Sequence, residues 1–314
     1  MNEFSLIDVF FKKPALARDD VLFGIGDDAA CLRVAPGQDL LVSTDTLVAG
    51  VHFLNDWDAF DIAWRAVMVN VSDMAAMAAT PCWLSLALTL PDNNETWLTR
   101  FAEGLHAALQ LYNIALIGGD TTRGPLSITM TVHGTVPEGG AVRRRGAQCG
   151  DTIWVSGDLG AAALAVSLLT GSDMDSADQS ILMNKLKRPR ARLDLLPILR
   201  SYATAALDIS DGLSADLNHL CQASALGACL SLDAIPVHPL LKKHRPDQAL
   251  DLALSGGDDY ELCFTTASAD KARLLAELAD MGLSCYPIGN MVKEPGLHTA
   301  SGLLTPRGYS HFQD

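Results

Sequence analysis

Four times in this chain a short apolar run ends in Gly or Ser and passes directly into aspartate: LLVSTDT (40–46), ALIGGDTT (115–122), AALDISDG (205–212) and LALSGGDD (252–259). Runs of this kind read as strand ends followed by tight turns, which gather side chains along one edge of a sheet, where clefts form. The recurrence predicts acidic turns that converge on a single site.

The charge balance gives that expectation its chemistry. Lys and Arg number 23 against 37 acids, for a net of −14, and 30 of the acids are Asp against 7 Glu. Aspartate favours turns, caps and metal sites, whereas glutamate decorates helix surfaces. So acidic a surface offers no long-range attraction to nucleic acid or to an anionic membrane, and neither is expected as a partner. A phosphate ligand would need cations brought in with it.

A chain of 314 residues is long enough for two domains, each with its own core. The stretch PEGGAVRRRGAQCGD (137–151) is the expected boundary, with a cut near Gly146 that gives domains 1–146 and 147–314. The 7 Cys are dispersed and form no C-x-x-C pair, which argues against a disulfide framework and against a thiolate zinc site. The first residues lack the basic-then-apolar order of a signal peptide, and no uncharged apolar run reaches the length of a membrane span. A cytoplasmic protein with reduced thiols is the expectation.

Periodicity predicts a buried helix over 61–79, apolar on almost every face except at Asn70 and Asp73, which share one face at a spacing of three. Residues 83–90 and 127–134 read as strands, and an amphipathic helix is expected from Asn94. In the second half, DTIWVSGDLG reads as a strand running into a helix over 161–169. Further helices are expected over 190–202, 211–224 and 270–281.

Nucleotide motifs of the common kinds are absent. Gly24-x-Gly26-x-x-Ala29 superficially fits a dinucleotide fingerprint, but Pro36 and Gly37 leave no room for the crossover helix, and Asp27 and Asp28 would repel a bare pyrophosphate. There is no G-x-x-x-x-G-K-[ST] loop, no calcium-binding loop, and no nucleophile elbow or Cys–His signature, so no covalent nucleophile is expected. What remains is aspartate without matching bases, and gathered carboxylates are costly unless divalent cations neutralise them. Magnesium fits dispersed single acids, because it takes one or two carboxylates and completes its shell with water and substrate phosphates. Asp73, in the middle of an apolar helix, meets either a metal or an arginine such as Arg65 or Arg123. Ser210 and Asp211 read as N-caps of the helix that follows. GGDTTRG (118–124) mixes paired glycines, an acid, hydroxyls and Arg123, a combination suited to holding a phosphate and its metal. Arg143, Arg144 and Arg145 are either a solvated linker or a phosphate clamp.

In this order and spacing, GIGDDAA, STDTLVAGVHF, NVSDMAAMAATP, LIGGDTTRGPL, LDISDGLSADL and LSGGDDYELCF resemble the bacterial thiamine-monophosphate kinases, from about Glu3 to Phe312. That family belongs to the group that includes aminoimidazole ribonucleotide synthetase and selenophosphate synthetase. The resemblance implies an α+β fold of two domains: an N-terminal sheet-plus-helices domain that binds ATP and magnesium and pairs in a homodimer, and a C-terminal α+β domain that completes the substrate cleft. It also implies that Asp28, Ser43, Thr44, Asp45, Asp73, Asp120, Asp208 and Asp211 bind several Mg2+ ions and that Gly119, Asp120, Arg144 and Ser210 contact ATP. His52, Asp258 and Tyr309 would contact thiamine monophosphate. Where the family often has Glu this chain has Asp258, with Asp259 and Glu261 as substitutes. The alternatives are another ATP-using member of the group, such as a ribonucleotide cyclo-ligase or a selenophosphate synthetase, or a non-catalytic acidic metal-binding protein. Cys31 follows GIGDDAA rather than lying in a Gly-rich segment before it, which disfavours the selenium reading.

Overall fold

The computed structural model describes residues 3–13, 15–169, 171 and 174–312, the side chains of residues 3 and 4 excepted. The chain divides into two α+β units: residues 1–74 with 79–141, and residues 75–78 with 142–314. Residues 142–146 thus belong to the second unit. Among the described residues no helix is long and apolar enough to cross a membrane, and all seven cysteines are unpaired.

The first unit opens with a short helix, α1 (Glu3–Leu6), continued by a wide helical turn over Ile7–Lys12, and a small ribbon of β1 (Val21–Phe23) with β2 (Cys31–Leu32). Its main sheet is built from β3 (Gln38–Val48), β4 (Thr80–Leu90), β5 (Ala115–Arg123) and β6 (Ser127–Pro137), in the order β3-β6-β4-β5. Helices α2 (Ala59–Ala76) and α3 (Glu95–Leu111) complete the unit. Because α3 buries Leu98, Phe101, Leu105 and Leu109, at spacings of three and four, it presents one apolar face to the core, and its first turn is capped by the side chain of Asn94, near where the helix was expected to begin. It also carries the crossover between the parallel strands β4 and β5.

Helix α2 is buried as predicted but stops at Ala76, short of the expected Ala79. Ala78 adopts a left-handed conformation, with its N–H bonded to the Ala75 carbonyl and that of Ala79 to the Met74 carbonyl. This closes the helix in a Schellman turn with Ala where Gly is usual. Pro81 then favours extended backbone ahead of it, and β4 begins at Thr80.

The second unit is built on a sheet ordered β13-β12-β9-β11-β7-β10-β8. The strands are β7 (Thr152–Val155), β8 (Ala203–Asp208), β9 (Gly227–Leu230), β10 (Leu262–Thr266), β11 (Tyr286–Val292), β12 (Gly296–Thr299) and β13 (Gly302–Leu304). Every residue of β7 and of β10 is buried, as expected for strands inside a sheet, and Trp154 stacks on Phe264 in the core. The helices are α4 (Ala161–Leu168), α5 (Ser176–Lys187), α6 (Leu196–Tyr202), α7 (Leu213–Ser224), α8 (Pro239–His244), α9 (Ala249–Ser255) and α10 (Lys271–Asp280). The helix expected over 190–202 starts only at Leu196, with Pro197 in its first turn. Helix α5, capped by Asp175, had no counterpart in the periodicity.

Only one of the four acidic runs is a strand end. Asp208 closes β8, but Asp45 and Asp120 lie inside β3 and β5, and SGGDD follows helix α9 rather than a strand. β3 and β5 are the two edges of their sheet, and an edge strand can continue through polar residues because one side of it needs no partner strand.

Candidate functional site

In the first unit the acids form two clusters rather than one. Asp45 on β3 meets α2: its backbone N–H donates to Asn70 Oδ1 at 3.2 Å, and the Ser43 hydroxyl donates to Asp73 Oδ2 at 2.5 Å. Strand alternation puts Ser43 and Asp45 on one face, and the three-residue spacing puts Asn70 and Asp73 on one side of the helix, so these side chains meet. Burial, followed by the charge of Asp73, pushes the Asp45 carboxyl up to about 6. No basic side chain bonds the Asp45 carboxyl among the described residues. The donor set is oxygen throughout, comprising carboxylates, a hydroxyl and an amide, which is the chemistry of a hard cation site. Thr44 is not part of this cluster, because its side chain lies on the opposite face and bonds Thr131. His52 folds back over the end of β3, where its Nδ1 accepts from the Val48 N–H at 3.0 Å. In the neutral ring the proton is then on Nε2.

The second cluster lines a cavity of about 830 Å3 at the β5 edge, formed by Asp27 and Asp28 of the GIGDD turn, Gly118, Gly119 and Asp120 of β5, and Lys12 and Asp8 of the N-terminal segment. Lys12, which no motif marked, is the only Lys or Arg among the described residues of this lining, and its ammonium lies 2.7 Å from where a Cβ on Gly26 would be. Gly119 allows the backbone to come close: its φ is +151°, and a Cβ there would lie 1.7 Å from the Leu86 carbonyl oxygen. Two strands separate the β3 and β5 edges, a span of roughly 14 Å at ordinary strand spacing. Convergence of all the acids of this unit on one point is therefore not what the fold builds.

In the second unit the turn over 208–212 is a hub. Its carbonyls hold two other segments through three bonds: Ile209 O accepts from Tyr260 N–H, Ser210 O from Asp258 N–H and Asp211 O from Tyr309 N–H, at 2.9, 2.8 and 3.0 Å. These bonds bring Asp258 and Tyr309 beside the Asp208–Asp211 turn. Gly257 must be glycine, since its φ is +69° and a Cβ would sit 2.7 Å from Ser210 O. Asp258 itself has a positive φ of 61°, and the Tyr260 hydroxyl donates to its carboxyl at 3.1 Å. Half of the Tyr309 surface is exposed, and its ring meets His311 edge-on.

Ser210 and Asp211 do not cap α7. The helix begins at Leu213 with Gly212 at its N-cap position and no capping side chain, and the backbone N–H groups of Ser210, Asp211 and Gly212 all donate to Asp216, one turn into the helix. Nor is Glu261 a stand-in for Asp258, because its Oε2 accepts from the Ser156 hydroxyl and from Arg192, both at 2.6 Å. Asp259 is turned to the start of α4, accepting from Gly160 N–H at 2.9 Å. Burial raises its carboxyl well above the ordinary carboxylate range. Arg144 is exposed, in a segment that lies along β8 through a bond from Ala206 N–H to the Arg143 carbonyl.

This geometry belongs with a known group of proteins. Residues 26–136 match the family model for the AIR synthase related protein N-terminal domain, and residues 148–300 match that for the C-terminal domain. The thiamine-monophosphate kinase of Escherichia coli K12 is 46% identical over 99% of this chain and 98% of its own length. The crystal structure of thiamine-monophosphate kinase from Stenotrophomonas maltophilia K279a superimposes with a TM-score of 0.89 at 44% identity, covering 97% of this chain and 98% of that one. AaThiL complexed with AMPPCP and TMP superimposes with a TM-score of 0.80 at 31% identity, over 99% and 97% of the two chains. Matched along both domains and over nearly its full length, this chain belongs to the thiamine-monophosphate kinase family.

Proposed function

We propose that the protein uses ATP to phosphorylate thiamine monophosphate to thiamine diphosphate by direct, magnesium-assisted transfer, as a cytoplasmic homodimer. The observation that carries this reading is the Asp45–Asp73 pair, like charges held close together beside Ser43 and Asn70, a cost that a divalent cation offsets. Relatives named for this activity, one of them complexed with AMPPCP and TMP, support the same assignment.

Asp45, Asp73 and Ser43 would hold metal at one sheet edge, Asp28 and Asp120 beside the cavity, and Asp208 and Asp211 at the hub; Thr44 enters this set by resemblance alone. Bound magnesium screens the charges of two polyanions that must meet in line. The protein's own groups do the positioning. Gly119 opens the β5 backbone to the nucleotide, with Lys12, Arg144 and Ser210 as phosphate contacts. Nε2–H of His52 donates to the substrate phosphate, while Asp258 and the Tyr309 ring face the cationic thiazolium. The acceptor oxygen is already anionic near neutral pH, so no side chain has to remove a proton. The acceptor oxygen bonds the γ-phosphorus as the bridge to the β-phosphate breaks, and ADP leaves.

Residues 1–146 would carry nucleotide, metal and dimer contacts, and residues 147–314 further substrate contacts. Support for pairing through the N-terminal sheet lies in its open face, where Leu40, Val42 and Val48 are 46%, 55% and 36% exposed among a row of threonines.

The test is to incubate the purified protein with ATP, Mg2+ and thiamine monophosphate and measure thiamine diphosphate and ADP, expected in equal amounts. Folded protein that forms no diphosphate would overturn the assignment. A narrower prediction concerns Lys12. Removing its charge in Lys12→Met should raise KM for ATP by about tenfold, the value of one charge-assisted contact, and leave KM for thiamine monophosphate unchanged in steady-state assays.

A further inference from the structure

The 208–212 turn is held on both of its sides. On the outside, the carbonyls of Ile209, Ser210 and Asp211 carry the segments of Tyr260, Asp258 and Tyr309. On the inside, a single atom, Oδ2 of Asp216, accepts the N–H groups of Ser210, Asp211 and Gly212 at 3.1, 3.0 and 3.0 Å. Asp216 is 5% exposed. Losing this acceptor would strand three N–H groups in a largely buried turn, and each would favour a different peptide orientation.

We propose that Asp216 is a positioning residue for phosphoryl transfer. It touches neither nucleotide nor thiamine phosphate. By holding the three peptides it sets the direction of the Asp208 and Asp211 carboxylates and, through the opposite carbonyls, the positions of Asp258 and Tyr309. This inference rests on the functional reading above in assigning those four residues to metal and substrate. Because only one oxygen is used, an amide oxygen in the same place can accept the same bonds, whereas a methyl group, or a carboxylate displaced by one methylene, cannot.

The test compares Asp216→Asn, Asp216→Ala and Asp216→Glu in the full chain, with Mn2+ binding followed by electron paramagnetic resonance and steady-state KM for thiamine monophosphate. Ala and Glu are expected to weaken Mn2+ binding and raise KM by about 10–100-fold, the usual cost of removing a group that orients metal ligands. Asn should stay within a few-fold of wild type in both. Should Ala fail to fold, Glu, which keeps the charge and nearly the volume, decides the matter. A lowered melting temperature with wild-type Mn2+ affinity and KM in Ala or Glu would reduce Asp216 to a structural role and overturn the proposal. So would an Asn variant as impaired as Ala. A wild-type protein that binds Mn2+ and makes no thiamine diphosphate would instead overturn the functional reading, and the Mn2+ comparison among variants would still test the positioning role.

Discussion

Asp45→Asn and Asp73→Asn should each lower kcat by at least about 10²–10³, the scale for losing one preorganised electrostatic contact, in protein that remains folded. Asparagine keeps the shape and one oxygen of the site but removes the charge that attracts a cation. Folding should survive because in the metal-free chain the pair is a liability: burial and Asp73 hold the Asp45 carboxyl at about 6, above its ordinary 3.8. The sign of the linkage gives a second readout. A carboxyl whose pKa is raised on folding contributes stability that is complete below 3.8 and is lost as pH rises through about 6. Metal-free wild type should therefore lose stability across that interval in thermal melts with chelator present. Asp45→Asn should melt with a flatter pH profile and at a higher temperature than wild type above pH 6. Turnover near the wild-type rate in either variant would remove that residue from the metal set.

Gly119→Ala should destabilise the protein by about 3 kcal/mol or more, among the larger effects of single substitutions, with a fall in Tm on the order of 6–12 °C. The added methyl would sit 1.7 Å from the Leu86 carbonyl oxygen and 2.6 Å from its carbon, so β4 and β5 would have to separate in the middle of their parallel pairing. Both clashing atoms are backbone, and no rotamer change relieves them. Gly118 is the control: a Cβ there meets nothing within 4 Å, and Gly118→Ala should unfold within a few degrees of wild type in the same calorimetric experiment. Equal melting temperatures for the two variants would show that the strand pairing is not as close as described. The GG dipeptide looks symmetric in the sequence, and only strand pairing makes one glycine indispensable.

Positions whose meaning is local were legible. The three-residue spacing of Asn70 and Asp73 placed them on one helix face, and both meet β3. The start of α3 near Asn94 was readable because capping is settled within one turn. The same logic misassigned Ser210 and Asp211, because α7 starts at Leu213 with Gly212 as its N-cap residue, past both of them. An acid in the first turn of a predicted helix was the available signal for Asp216. Lys12 had none, since its place over Gly26 depends on an N-terminal segment docking against a turn of quite different sequence.

By itself, the order of residues determined the kind of chemistry: aspartates in excess of bases, hydroxyls beside them and glycines to admit a ligand, together with motifs that mark the family. Tertiary structure decided which acids are neighbours. Asp45 and Asp120 occur in similar local words yet lie on opposite edges of one sheet, and Asp258 is brought to the Asp208 turn by backbone bonds from its segment to Ile209 and Ser210. The physical reason is that side-chain type and helix or strand period act over a few residues, whereas edge position and turn-to-turn bonding are set by pairings between segments tens of residues apart.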